Sequence, residues 1–281
     1  MNVDEQVLQL PVTRLIETSG AENIDTIILS EWNTMQNFIM RTAIPIVSER
    51  RGRHEVIASG IVLTHNNRFF VITANHVLDE RTQKPIGIHD GDHTVFAIKQ
   101  LSDTIYHTVP KAEGETDNDD IGWFEISSSF FDRLAKTWIA TRFEEQKTST
   151  PMLSKWRVAA GYRGRQKSYD DILPPRCSLL TTNVLGDEQY GSFGLDTSKH
   201  ILLSIGGLKT NGKGLELNEL KWDGMSGGPI WEIPTIEQHI LGNTKPIFRG
   251  IVTGGDKSGK VMFGTSSSLI WPEIVEHARR P

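Results

Sequence analysis

Three short segments hold the residue types that together attack an amide. Gly224-Met225-Ser226-Gly227-Gly228-Pro229 sets one serine among glycines that let the backbone turn sharply. Thr73-Ala74-Asn75-His76-Val77 carries a histidine, and Asp119-Asp120-Ile121-Gly122-Trp123 carries carboxylates. A serine hydroxyl is a poor nucleophile until a base takes its proton. An imidazole titrates near neutrality and can take that proton and return it, while a carboxylate holds the imidazole in one tautomer. Ser226, His76 and Asp120 are the candidates for these roles. The N–H groups of Gly224 and Ser226 are candidate donors to the oxyanion that attack creates. Asp120 is preferred to Asp117 and Asp119 because it abuts the apolar run Ile121-Gly122-Trp123-Phe124 and is best placed to be buried.

The elements that must position these residues read as short strands. Ala43–Val47, Val56–Leu63 and Phe69–Thr73 are apolar β runs, with Arg51-Gly52 and His65-Asn66-Asn67-Arg68 as turns between them. Val95–Lys99, Gly122–Ile126, Trp156–Ala160, Ser178–Val184, Ile201–Ile205, Leu215–Trp222, Ile230–Ile233 and Arg249–Val252 continue the pattern. Many strands joined by Gly, Asp and Asn turns predict barrels or sandwiches rather than a parallel α/β sheet. Ile24, Ile27, Ile28, Trp32 and Met35 recur at helical spacing and predict a short amphipathic helix. A second helix is expected near the end, with Pro272 at its first position and Ile270, Ile274 and Ala278 on one face. Thr141–Ser154 is polar and reads as a link between two halves.

The three chemical segments resemble the chymotrypsin/trypsin family of serine proteases, including bacterial trypsin-like and HtrA-type members. The family pattern is Thr-Ala-x-His, then Asp-Ile/Leu with small and apolar residues, then Gly-x-Ser-Gly-Gly-Pro, matched here at His76, Asp120 and Ser226. Gly250-Ile251-Val252-Thr253-Gly254-Gly255 is similar to the family's strand that pairs with substrate backbone and walls the specificity pocket. The resemblance spans about residues 40 to 281. It implies an all-β fold of two antiparallel six-stranded β-barrels, chymotrypsin-like, with a short C-terminal helix and an N-terminal helical extension. Residues 1–36 are then the extension, 37–150 the barrel carrying His76 and Asp120, and 151–281 the barrel carrying Ser226. It further implies a serine endopeptidase acting through an acyl-enzyme, with an oxyanion hole at Gly224 and Ser226, no cofactor and no metal. Substrate contacts are expected from Leu220, Lys221, Thr253, Gly254 and Gly255.

Departures from the family refine these expectations. Secreted zymogens place an aspartate just before the serine, where this chain has Met225, so activation by an ion pair to a new N-terminus is not expected. Leu220 stands where trypsin-like members place a pocket-base aspartate. That removes the case for Arg or Lys selectivity, and an apolar or small residue before the cut is expected.

Other readings compete. Gly224-Met225-Ser226-Gly227-Gly228 also fits the G-x-S-x-G elbow of an esterase, with Asp256 and His277 as nominal partners. A trypsin-like module that only holds peptides is the main alternative. His89-Asp90-Gly91-Asp92-His93 has metal-ligand residue types, but Asp90-Gly91 reads as a hairpin turn. Cys177 reads as a small buried residue rather than a nucleophile.

Composition narrows the setting. With 37% hydrophobic and 23% charged residues, a chain of 281 residues is expected to fold rather than stay disordered. A net charge of −5 gives no reason to expect nucleic acid or an anionic membrane as partner. The clusters Arg50–Arg53 and Arg163–Lys167 read as solvated turns. One cysteine, no secretory signal at Met1-Asn2-Val3-Asp4-Glu5 and no membrane-length apolar run point to the cytoplasm. The expected partner is a protein or peptide substrate, and the N-terminal extension is a candidate docking element for a regulatory partner or a brake on activity.

Overall fold

Apolar runs of period two need partner strands to satisfy their backbone groups, and the turns already named direct them to one another. The computed structural model describes residues 24–50, 53–79, 86–91, 94–101, 107–108, 120–147, 156–162, 177–205, 224–235, 238–239, 244–256 and 260–280. Strands β1 (Ala43–Arg50) and β2 (Arg53–His65) pair antiparallel from Ala43↔Ile61 to Arg50↔Arg53. Asn66 and Asn67 take φ of 50° and 59°, a left-handed conformation that asparagine tolerates, and close the hairpin to β3 (Arg68–Thr73). Strands β4 (Ile86–His89), β5 (Val95–Ala97), β6 (His107–Thr108), β7 (Gly122–Ile126) and β8 (Thr141–Arg142) complete the first unit. The strand order is β5-β4-β1-β2-β3-β7-β6, with β8 parallel to β2. Two-residue β6 and β8 are marginal, so six longer strands form its body.

The second unit is a closed barrel. Its strands are β9 (Trp156–Tyr162), β10 (Cys177–Val184), β11 (His200–Ser204), β12 (Pro229–Glu232), β13 (Ile247–Gly255) and β14 (Val261–Ser266). They close in the order β10-β11-β14-β13-β12-β9, which leaves no open edge. The fold class is thus the expected one: all-β, with two curled antiparallel sheets of six principal strands. One apolar core includes residues of both units, with Phe70 and Phe124 from the first and Trp231 and Phe248 from the second. A smaller core of Ala159, Leu203, Ile230 and Met262 fills the second barrel.

Two helices finish the frame. Helix Ile24–Thr42 runs directly into β1 and extends past the spacing read from the sequence. Its Met35 and Ile39 are buried, Phe38 meets Trp231 edge-on at 5.4 Å, and Trp231 Nε1 donates to Thr42 Oγ1 at 3.2 Å. Helix Ser267–Ala278 begins five residues before Pro272, because Ser266 caps it by accepting the Ser268 N–H. Pro272 therefore lies inside the helix and leaves the Ser268 carbonyl without its helical donor.

Local differences have similar causes. Strand β5 stops at Ala97, since Ile98 and Leu101 turn inward on a short helix while Lys99 and Gln100 face out. Thr141–Ser154 begins with β8 and a helix, Phe143–Lys147, rather than as plain linker, and 148–154 lie outside the described residues. The strand expected over Leu215–Trp222 lies outside them as well, as do residues 163–167. Among the described residues no helix is long and apolar enough to cross a membrane.

Candidate active site

His76 owes its position to the residues on either side. Strand β3 is buried from Phe70 to Thr73, and the short helix Asn75–Asp79 buries Val77 and Leu78. His76, between them, is turned outward with its side chain 48% exposed. Strand β7 pairs antiparallel to β3 with Thr73 opposite Gly122, which brings Asp120 alongside His76. Asp120 Oδ1 accepts the His76 backbone N–H at 2.9 Å, and Asp120 Oδ2 pairs with His76 Nδ1. The Asn75 N–H donates to the Asp120 carbonyl at 3.3 Å. Gly122 permits this approach: a Cβ there would lie 2.6 Å from Leu78 Cδ1 and 3.2 Å from Asn75 Cα. An ionised carboxylate only accepts, so the shared proton sits on Nδ1 and Nε2 is the basic nitrogen. Asp120 itself is 16% exposed.

Ser226 sits half-buried on a turn pinned from three sides. Gly224 and Gly227 have φ of 89° and 81°, which side chains rarely adopt. The Gly224 carbonyl accepts from Ser59 Oγ at 2.7 Å, and the Ser226 carbonyl accepts from the Ser59 N–H at 2.8 Å. The Met225 carbonyl accepts from the Gly228 N–H at 2.9 Å. The Gly227 N–H donates to Val252 at 2.7 Å, and the Val252 N–H returns to Gly228 at 2.8 Å. Peptide bonds here are trans, so fixing the carbonyls of Gly224 and Met225 turns the N–H groups of Met225 and Ser226 the other way. Among the described residues, the N–H groups of Gly224, Met225 and Ser226 have no acceptor. Met225 is buried in the second-barrel core, where the resemblance places an aspartate in zymogens.

The turn also abuts the strand that leads to His76. A Cβ at Gly227 would lie 2.1 Å from the Ser59 carbonyl oxygen and 2.9 Å from Thr73 Cα, and Thr73 is three residues before His76. The structure therefore brings His76 and Asp120 into contact and sets the Ser226 turn against the end of β3.

The expected substrate contacts divide. Thr253, Gly254 and Gly255 continue β13 outward from Val252, and Thr253 is the bulged residue between Val252 and Gly254. Leu220 and Lys221 lie outside the described residues, as do Asp117 and Asp119. A cleft of about 890 Å³ bordered by Phe38, Arg41, Asn67, Phe131, Trp138 and Lys245 contains none of these groups.

The rival constellations separate. Pro229–Glu232 is a strand, not the helix an esterase elbow opens. Asp256 Oδ1 accepts the N–H groups of Lys260 and Val261 within the β13–β14 turn, while His277 lies against Glu125 at 3.3 Å. Asp90-Gly91 is a hairpin turn: Gly91 has φ of 85°, the Asp90 N–H donates to Thr94 at 2.9 Å, and β4 and β5 pair across it. His89 Nδ1 there accepts the Gly91 N–H at 2.9 Å, and Asp92 and His93 lie outside the described residues. Burial pushes the Cys177 thiol up to about 12, which keeps it protonated and unreactive at neutral pH.

Ser59 and Gly161 carry structural weight at this site that sequence reading missed. Ser59 lies in an apolar strand with no local motif, and a Cβ at Gly161 would meet Ser59 Oγ at 2.8 Å and Met225 Sδ at 3.0 Å. Comparison with protein-family models found no matching family, and comparison with curated proteins found no match.

Proposed function

We propose that this chain is a serine endopeptidase of the chymotrypsin/trypsin type. The observation that carries the reading is the two-point grip of Asp120 on His76, through backbone N–H and ring Nδ1. Such a grip gives the role of base to Nε2, and the Ser226 turn is held against the same strand end. In this mechanism His76 Nε2 takes the Ser226 proton as Oγ attacks a peptide carbonyl. The N–H groups of Gly224 and Ser226 stabilise the oxyanion, and Asp120 stabilises the imidazolium. His76 then protonates the leaving amine, and water, activated by the same ring, releases the acyl group. Catalytic hydrogen bonds of this kind often tighten only once substrate binds.

The substrate is a protein or peptide lying along Thr253-Gly254-Gly255. The one cysteine, held as a neutral thiol, suits a reducing compartment, and we place the chain in the cytoplasm. The continuation of β13 through Thr253, Gly254 and Gly255, a strand to which a peptide can add, favours a second reading, a trypsin-like module that holds peptides without cutting them. Cleavage of a peptide library separates the two. Wild type cuts, and Ser226→Ala lowers turnover by about a million-fold with folding unchanged. Equal turnover in both removes the nucleophile assignment, and no cleavage by folded wild type favours the binding module.

A further inference from the structure

Ser59 is buried at the junction of the two units, and every polar atom it has is engaged. Its N–H donates to the Ser226 carbonyl at 2.8 Å, and its hydroxyl donates to the Gly224 carbonyl at 2.7 Å. The hydroxyl also accepts the Tyr162 N–H at 2.8 Å, and the Ser59 carbonyl accepts from Thr73 Oγ1 at 2.8 Å. Pro45 stands opposite Ser59 in β1, while both backbone polar groups of Ser59 face the Ser226 turn and Thr73. Gly161 leaves the room in which the hydroxyl sits. One residue of the first unit thus holds two peptide planes of the second, that after Gly224 through its hydroxyl and that after Ser226 through its backbone N–H.

We infer that Ser59 is a positioning residue, whose hydroxyl holds the Gly224–Met225 peptide, the link between the two oxyanion donors, so that the flanking N–H groups of Gly224 and Ser226 keep their relative orientation. The inference rests on the endopeptidase reading and goes beyond it. The hydroxyl does so as a neutral clamp: among the described residues the carbonyls of Gly224, Met225 and Ser226 are held by Ser59 and Gly228, and Met225 packs in the apolar core of the second barrel. Without the hydroxyl, the Gly224 carbonyl and the Tyr162 N–H both lose their partner. The Gly224–Met225 plane is then free to rotate, which turns the flanking Gly224 and Ser226 N–H groups relative to each other, and a donor misplaced by about 1 Å costs on the order of 100-fold in rate.

The test compares wild type, Ser59→Ala and Ser59→Cys, with Ser48→Ala as the reference for loss of a buried strand hydroxyl outside the turn. Measured quantities are kcat and KM on a peptide chosen from a cleavage library, the rate of Ser226 modification by a fluorophosphonate, and the melting curve. Ser59→Ala is expected to lower kcat by about 10- to 100-fold with KM within about twofold, and to slow phosphonylation in step. Ser59→Cys, close in shape with a weaker donor, falls between, and Ser48→Ala keeps wild-type kcat. A folded Ser59→Ala variant with kcat within about twofold of wild type overturns the inference, as does a change confined to KM. Should Ser59→Ala not fold, Ser59→Cys carries the test, and wild-type kcat there overturns the inference. Wild type that is folded, inert to the fluorophosphonate and unable to cut the library overturns the endopeptidase reading itself.

Discussion

At the residue scale, Asp120 acts on His76 through geometry. Its Oδ1 fixes the backbone of the histidine and its Oδ2 fixes the ring, so both position and tautomer depend on one carboxylate. Asp120→Asn keeps the shape but offers an N–H where Nδ1 also carries one, which favours the wrong tautomer. Turnover is expected to fall by roughly 10,000-fold with the melting temperature little changed. The same loss from Asp119→Asn, with Asp120→Asn near wild type, would reassign the carboxylate. Gly227 has a different sensitivity. Gly227→Ala puts a methyl 2.1 Å from the Ser59 carbonyl at a φ of 81°, so a folding defect is expected, read as lost soluble yield or a broad melt.

At the scale of elements, the hairpin that begins β3 is tied to the C-terminal helix by Arg68. Its Nε and Nη2 donate to Glu125 at 2.7 and 2.6 Å, while Nη1 reaches the carbonyls of His277 and Arg280 at 3.0 and 3.1 Å. Arg68 holds the Glu125 carboxyl below the ordinary glutamate range, against the opposing effect of burial. His277, 3.3 Å away, acts in the same direction. A carboxyl made more acidic by folding adds stability above its unfolded titration, and that stability is lost as pH falls through the folded value. Glu125→Gln is expected to destabilise by about 1–2 kcal/mol at pH 7. The gap from wild type should narrow below about pH 4. Denaturant melts at the two pH values check this, and a gap that widens in acid contradicts it.

These elements differ in how far they could be read without coordinates. The Asn66–Asn67 hairpin was legible because its conformational preference is local, and β7 because its apolar run begins sharply at Ile121. Pro272 misled because a proline suits a first helical position, and only the Ser266 side chain reveals the true start. The residue types and spacing at His76, Asp120 and Ser226 were visible in short segments. Ser59 was not, since its contact with Gly224 joins positions 165 residues apart and nothing in Ala58-Ser59-Gly60 announces it.

At the scale of the whole molecule, helix Ile24–Thr42 is seated against the second barrel while running into the first. Trp231, wholly buried, meets Phe38 at 5.4 Å and Phe248 at 5.8 Å and donates to Thr42. Trp231→Ala is expected to cost about 3–5 kcal/mol, measured by denaturant unfolding. A chain starting at Ala43 should lose its cooperative melt rather than gain activity, and a folded, more active truncation would instead mark the helix as a brake. The central claim is that His76 and Asp120 make the Ser226 hydroxyl reactive in the crevice where the two units meet. Intact-mass analysis after treatment with a fluorophosphonate tests it most directly. Wild type is expected to gain one adduct located at Ser226, slowed by at least about 100-fold in His76→Ala, whereas a folded wild type without that adduct, or one that keeps it after Ser226→Ala, contradicts the account.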